Sequence, residues 1–129
     1  MQFAGRLHAV RRLWDARQSL TSKELVQQWQ RYVRGWWNYF RLADATTALT
    51  RLDGWVRRHM RKCFWLRWHH RPGRHNALKR LGMVGRSLKL ASSRKGAWRI
   101  ARSPTLQHAL CNRILRRYGL WVPSDLAAA

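Results

Sequence analysis

Acidic residues are scarce in this sequence, which has 5 Asp and Glu against 27 Lys and Arg and a formal net charge of +22 at pH 7. A surface with so few acids repels itself and favours a polyanionic partner. Most of the positive charge is arginine, whose planar guanidinium binds phosphate with two hydrogen bonds and stacks on bases. The composition therefore predicts a nucleic-acid partner, ahead of an anionic membrane surface or a heparin-like polymer.

The few acids are also too dispersed for metal-ion catalysis. They are Asp15, Glu24, Asp44, Asp53 and Asp125, and no two lie close enough in sequence to suggest a carboxylate pair. Two-metal phosphoryl transfer needs carboxylates to hold its ions. A Gly-rich phosphate loop of the G-x-x-x-x-G-K-[ST] type is missing as well. We therefore predict that the chain is not an enzyme, has no catalytic residues and needs no cofactor.

Cysteine is rare, and long apolar runs are missing. Cys63 and Cys111 lie far apart and outside any C-x-x-C pattern, which indicates neither a disulfide framework nor a zinc site. His59, Cys63 and His69 lack a convincing fourth ligand, so we predict no metal site. Without a run of 18 apolar residues we predict no membrane partner. A reducing compartment such as the cytoplasm fits best, although the basic amphipathic N-terminus leaves a mitochondrial location open.

The sequence does contain many hydrophobic residues, and they recur at helical spacing. Hydrophobic residues make up 46% of the 129 residues, and nine are tryptophans. Their periodicity is helical, without the alternation typical of strands. The sequence predicts an all-α fold, a small bundle of about four to five helices. We divide it into an N-terminal basic helix and linker (1–20), a helical domain (21–121) and a disordered tail (122–129).

Caps and breakers set the predicted helix boundaries. The first helix is expected over about 3–17. The second is expected from Thr21, because a threonine followed by Glu24 has the spacing of a capping box. The third is expected after Asp44 as N-cap. We expect it to end near His70, since a proline and a glycine follow.

The second half of the chain is predicted to be less regular. A short helix is expected over 76–81 with Gly82 as its C-cap. Residues 83–102 show little regularity. The last helix is expected to start at Ser103, with a proline in its first turn, and to run to about Tyr118 before a glycine.

The tryptophans divide into two groups by the helix side on which they fall. Those on or beside apolar stripes should mainly pack in the core, and they are Trp29, Trp36, Trp37 and Trp55. Trp65 and Trp68 fall on the basic side of the third helix. An exposed indole flanked by arginine is a stacking platform for an unpaired base. Packing of both rings against another helix is an equal alternative.

Three segments carry a family pattern. They read LVQQWQRYVRGWWNYF at 25–40, whose core is RGWWNYF at 34–40, LDGWVRRHMR at 52–61 with an aromatic and basic run to Trp68, and KGAWRIARSP at 95–104 with the helix to Gly119. Together they resemble the group II intron maturase-specific domain, also called the thumb or X domain. The third segment is similar to the C-terminal end of a bacterial subgroup, which implies a bacterial cytoplasm. In intron-encoded proteins that domain follows the reverse transcriptase palm. The resemblance covers about residues 20–121.

The resemblance implies a thumb/X-domain-like bundle that binds group II intron RNA and assists its folding and splicing, with catalysis left to the RNA. The palm and its paired aspartates have no counterpart here, so reverse transcription by this chain alone is not expected. Two alternatives stay open. The chain could be the thumb subunit or remnant of a split group II intron reverse transcriptase, with a palm and fingers chain as partner. It could also be a general basic nucleic-acid-binding protein. The oligomeric state is left open.

The predicted RNA contacts are basic or aromatic side chains on faces that lack acidic partners. Contacts to the RNA backbone are expected at Arg31, Arg34, Arg57, Arg58, Arg61, Lys62, Arg67, Arg71, Arg74, Lys95 and Arg99. Stacking on unpaired bases is expected at Trp65 and Trp68.

Overall fold

The computed structural model describes residues 3–40 and 46–127, and within them the side chains of 8–36 and 50–126. All regular structure in these residues is helical, which confirms the predicted all-α class. In chain order the helices are α1 (Phe3–Leu13), α2 (Ser22–Phe40), α3 (Thr46–Arg67), α4 (Arg71–Arg80), a 3-10 helix (Gly85–Ser92), α5 (Ala97–Ile100), α6 (Pro104–Ala109), α7 (Asn112–Arg117) and α8 (Pro123–Ala127). Two predictions, Asp44 as an N-cap and Trp37 as a core ring, lie outside the described residues and side chains.

Helix α2 buries the stripe that its periodicity predicts. Trp29, Val33 and Trp36 recur at steps of three and four residues and are each 0% exposed, because such positions share one face of a helix. The first turn is capped by Thr21, whose Oγ1 accepts a hydrogen bond from the N–H of Glu24 at 3.2 Å. The threonine half of the predicted capping box is therefore confirmed.

Helix α3 contributes one face to the core and contacts three other helices. Its buried face contains Val56, Met60 and Cys63, again at helical spacing. Helices α1, α5 and α8 all contact α3, and α8 also contacts α2. No helix in the described residues is long and apolar enough to cross a membrane.

The junction between α3 and α4 differs from the prediction. The proline that we interpreted as a breaker lies in the first turn of α4, where a residue without an N–H costs nothing. His70 is the N-cap, and its Nδ1 accepts a hydrogen bond from the N–H of Gly73 at 3.2 Å. His69 adopts a φ of +77° and turns the chain between the two helices. Helix α4 therefore begins at Arg71 rather than at 76, and Gly82, with a φ of +88°, ends it as predicted.

The predicted last helix is two short helices. Ser103 is its N-cap as expected, because its Oγ accepts a hydrogen bond from the N–H of Leu106 at 3.3 Å. The helix stops at Ala109, since Leu110 leaves helical geometry at φ −106° and ψ 61°. A second helix, α7, follows from Asn112, and Gly119 turns the chain after it at a φ of +80°.

The tail that we expected to be disordered is folded up to Ala127. Val122 is 0% exposed, and α8 packs on α2 and α3. The Asp125 carboxylate accepts a hydrogen bond from the N–H of Val122 at 3.0 Å, which caps α8. Ser124 donates from its N–H and its hydroxyl to the carboxylate of Asp53. Burial of apolar side chains, together with these polar contacts, holds α8 in place.

Helix α1, by contrast, is shorter than predicted and ends at Leu13.

Candidate nucleic-acid interface

Most arginine and lysine side chains in the described part of the chain are exposed, and few have an acidic neighbour. The ion pairs among these residues are Arg17 with Asp15 at 3.2 Å and Arg57 with Asp125 at 3.8 Å. Asp53 is only 4% exposed and bonds to Ser124. Burial raises the pKa of Asp53, although its hydrogen bonds with Ser124 act in the opposite direction. Asp15, Asp53 and Asp125 are thus engaged locally and leave the surrounding surface positive.

A subset of the predicted phosphate contacts lies free on that surface. The exposed members are Arg31, Arg34, Arg71, Lys95 and Arg99. Arg34 also lies over the Trp121 ring, with its Cζ 5.4 Å from the ring centroid. These five side chains can reach phosphate without giving up a bond that the fold requires.

Arginines on the inner side of α3 bind backbone carbonyls instead. Arg61 is 7% exposed. Its Nε donates to the carbonyl of Leu110 at 2.8 Å, and another guanidinium nitrogen donates to Asn112 at 3.0 Å. Leu110 follows the end of α6, so Arg61 satisfies a carbonyl that the helix leaves free. Burial lowers the pKa of Arg61. The prediction that Arg61 contacts phosphate is therefore wrong, because the side chain is enclosed by α6 and α7.

Three other predicted contacts have structural partners but remain partly exposed. Arg58 donates from Nε to the carbonyl of Trp98 at 2.9 Å, and its Cζ lies 3.9 Å from that ring's centroid. Arg67 donates to the carbonyl of Gln18 at 3.4 Å. Arg74 donates from Nε to the carbonyl of Trp65 at 3.1 Å. An RNA contact by Arg58, Arg67 or Arg74 would use only those guanidinium N–H groups that are not already bonded to these carbonyls.

Trp65 and Trp68 have different environments. Trp65 is 1% exposed, with the Arg74 guanidinium 4.6 Å from its ring centroid and the Trp68 ring 6.0 Å away. The prediction that Trp65 stacks on bases is wrong, since the turn into α4 brings Arg74 over this face, and the packing alternative applies. Trp68 is partly exposed and lines a cavity of about 540 Å³ with Phe64 and Tyr118. Its role in stacking stays a prediction.

A larger cavity lies between α1, α3 and α5. It measures about 790 Å³ and is lined by Arg11, Trp14, Asp15, Ala16, Arg17, Trp55, His59, Lys62, Leu66, His69 and Trp98. Of the predicted contacts, Lys62 alone lines it. Arg11 and Trp98 were not among the side chains that we predicted to contact RNA. The basic residues next to Trp98 in the third segment could have indicated an RNA contact at this ring. The contacts of α1 and α5 with α3, however, cannot be inferred from spacing along the chain.

His59 lies at the centre of this cavity wall. Its ring centroid is 4.4 Å from that of Trp55 and 4.5 Å from that of Trp98. Burial lowers the pKa of His59 to about 4, and the positive charges of Lys62 and Arg11 act in the same direction. The imidazole is therefore neutral at pH 7.

Metal-binding and nucleophilic groups are not assembled in the described part of the chain. Among those residues, no group of three or more His, Cys, Asp and Glu side chains could hold a metal ion. Burial raises the pKa of Cys63 to about 11, so its thiol is protonated at pH 7. The surface side chains therefore offer positive charge and aromatic rings for contact with a ligand.

The chain is similar in sequence to a known protein family. Its sequence matches the family described as group II intron, maturase-specific domain over residues 6–82, whereas no curated protein matches it. The match contains α2, α3 and α4 with most of α1, and therefore the first two of the three segments that resemble the family. The third segment lies beyond it. Since the matched residues are more than half of the 129, the chain belongs to the group II intron maturase-specific domain family.

Proposed function

We propose that this chain is an RNA-binding domain of the maturase type, which binds group II intron RNA and assists its folding and splicing without catalytic residues of its own. The observation that carries the proposal is the exposed arginine and lysine surface, which has few acidic partners and belongs to a maturase-domain fold. Folded RNA is recognised mainly through phosphates, 2′-hydroxyls and shape. Fixed guanidiniums on a rigid helical frame suit that mode of recognition.

Some arginines stabilise the fold and others are exposed on its surface, and this difference supports the proposal. Arg58 and Arg61 tie the short helices α5 and α6 to α3 through carbonyl bonds. Exposed side chains such as Arg31 and Arg99 project from the frame that these bonds hold together. A preorganised frame lowers the ordering cost of association. RNA segments held against it would be biased towards one arrangement, which is how a non-catalytic protein can promote splicing.

Competition binding tests the proposal. A labelled group II intron transcript is bound to the full chain at fixed salt and then challenged with an unrelated structured RNA of equal length and with duplex DNA. We expect the intron to be retained against a large excess of either competitor. Displacement at equal concentrations by duplex DNA would instead identify a general basic nucleic-acid-binding protein.

The proposal also predicts that the chain does not extend a primer on any template with Mg²⁺ or Mn²⁺. Two-metal transfer needs carboxylates close together, whereas Asp15 pairs with Arg17 and Asp53 bonds to Ser124. Incorporation of labelled nucleotide is measured against a preparation of the Asp53→Asn variant. Extension by the wild-type chain that this variant lacks would contradict the assignment.

A further inference from the structure

The 790 Å³ cavity between α1, α3 and α5 combines aromatic walls with a positive rim. Trp55 and Trp98 are both partly exposed and stand on either side of His59. Arg11 and Lys62 supply charge at the opening, whereas the Arg17 charge is already paired with Asp15 at 3.2 Å. Aromatic surface under cationic groups suits a ligand that is flat and carries negative charge.

Two buried nitrogen atoms on this wall have no hydrogen-bond partner within the protein. They are Nε1 of Trp14, a residue 2% exposed, and Nε2 of His59, a residue 7% exposed. Buried polar groups are nearly always paired, so two such atoms in residues lining one cavity require an explanation. An indole N–H can only donate, whereas a neutral imidazole nitrogen either donates or accepts. Neither atom has accessible surface, so the edge of a base would reach them only through a movement of the cavity wall.

The Arg11 guanidinium occupies part of the space in which a base would stack. Its Cζ lies 5.6 Å from the centroid of the Trp55 ring, and Arg11 itself is exposed. A cation–π contact at an exposed site is weaker than the stacking of a base on an indole. A base could therefore displace the guanidinium from the ring, and Arg11 would then be free to bind the adjacent phosphate.

From these contacts we infer that the cavity receives one unpaired nucleobase of the bound RNA, which stacks on Trp55 while Arg11 and Lys62 bind the flanking phosphates. The inference rests on the proposed RNA-binding function and adds a specific site to it. It also moves base stacking away from Trp65, which is buried.

Two short RNAs separate stacking from charge. One is a single-stranded hexauridine, and the other has the same phosphates but abasic sugars. We expect the full chain to bind hexauridine about tenfold more tightly, because stacking adds to the charge term that the two RNAs share. We expect Trp55→Leu to remove this preference and to leave binding of the abasic RNA unchanged. The matched control is Trp121→Leu, since Trp121 is likewise covered by an arginine, Arg34, with its Cζ 5.4 Å from the ring centroid. That variant should keep the preference.

A crosslinking measurement on the unaltered chain covers the case in which Trp55→Leu fails to fold. Hexamers with 4-thiouridine are irradiated with the protein, and the modified peptides are mapped by mass spectrometry. Crosslinks in the peptides that contain Trp55 or Trp98 support the inference. Crosslinks confined to other peptides overturn it, as does equal affinity for the uridine and abasic RNAs or a preference that survives in folded Trp55→Leu. If the two hexamers bind equally and intron RNA still binds, only the cavity is wrong. If intron RNA does not bind either, the proposed function fails as well.

Discussion

At the scale of single residues, arginine has two roles that its position in the sequence does not distinguish. Arg61 on α3 is buried and bonds to Leu110 and Asn112, whereas Arg99 on α5 is exposed. A hydrogen bond with one charged partner contributes about 1.5–3 kcal/mol to stability, and a buried carbonyl left unpaired costs about 1–3 kcal/mol. The first arginine therefore stabilises the fold, and the second is available to RNA.

Substitution of these two arginines should separate stability from binding. We expect Arg61→Met to lower the free energy of unfolding by about 2–4 kcal/mol, since the Leu110 carbonyl and Asn112 lose their partner. Arg99→Ala should leave the melting temperature unchanged, weaken binding to all RNAs and lower the salt slope by about one phosphate. Melting curves and RNA titrations on both variants check this. Equal melting temperatures would show that Arg61 is not a structural residue.

His59 should make stability depend on pH. Its pKa is about 4 in the folded chain against 6.5 for an ordinary histidine. The unfolded chain therefore takes up a proton first as pH falls, and stability is lost from about pH 6.5 downwards. The loss between pH 7 and pH 5 should be about 2 kcal/mol, because one pKa unit corresponds to about 1.4 kcal/mol. Urea unfolding at both pH values measures it.

The control for this pH dependence is His59→Gln, which keeps a polar side chain but does not titrate. The pKa of Asp53 is raised and that of Asp15 is lowered, and both carboxyls are present in either protein. Their contributions cancel in the comparison. An equal pH slope in wild type and variant would mean that His59 is not buried in a neutral form.

At the scale of elements, α8 shows how a short segment is held by tertiary contacts. Val122 is buried, the Trp29 Nε1 donates to the carbonyl of Trp121 and Ser124 bonds to Asp53. A helix as short as Pro123–Ala127 does not form alone in water, because helix nucleation is costly. Its stability comes from α2 and α3.

Paired valine substitutions test the docking of α8. Val122 is 0% exposed and Val84 is 77% exposed. We expect Val122→Ala to lower the free energy of unfolding by about 2 kcal/mol, through lost burial and the cavity left behind. Val84→Ala should change it by less than about 0.5 kcal/mol. If the two cost the same, the segment is not docked and the disordered tail that the sequence predicted is correct.

The elements that could be predicted were those with local signals. The stripe of α2, its threonine cap, the Ser103 cap and the two terminating glycines all depend on residues a few positions apart. The start of α4 was missed because proline fits a first turn as well as it breaks a helix. The break between α6 and α7 occurs at Leu110, whose sequence context carries no such signal.

The candidate site was less predictable than the fold. Five of the basic side chains predicted to contact RNA are exposed, and their contact with RNA stays a prediction. Trp65 and Arg61 were misassigned because both lie on the basic side of α3, and only tertiary structure shows that neighbouring elements cover that side. The cavity with Trp55 and Trp98 joins positions about 40 residues apart, and it could not be inferred from the spacing of either.

At the scale of the whole molecule, charge dominates. The net charge is +22, and ion pairs in the described part of the chain neutralise little of it. Each phosphate that a lysine or arginine neutralises releases condensed counterions, so affinity for RNA falls steeply with salt. Under the proposed function, this charge term supplies most of the affinity, whereas base stacking and shape select among RNAs.

The affinity of the full chain for a group II intron transcript, measured by filter binding between 50 and 200 mM salt, tests this account most directly. If about six phosphates are neutralised, affinity should fall by about 10³ across this range. The logarithm of the binding constant should decrease linearly with the logarithm of the salt concentration. An affinity that is nearly constant over the same range would contradict the claim that this basic helical domain holds intron RNA through its phosphates.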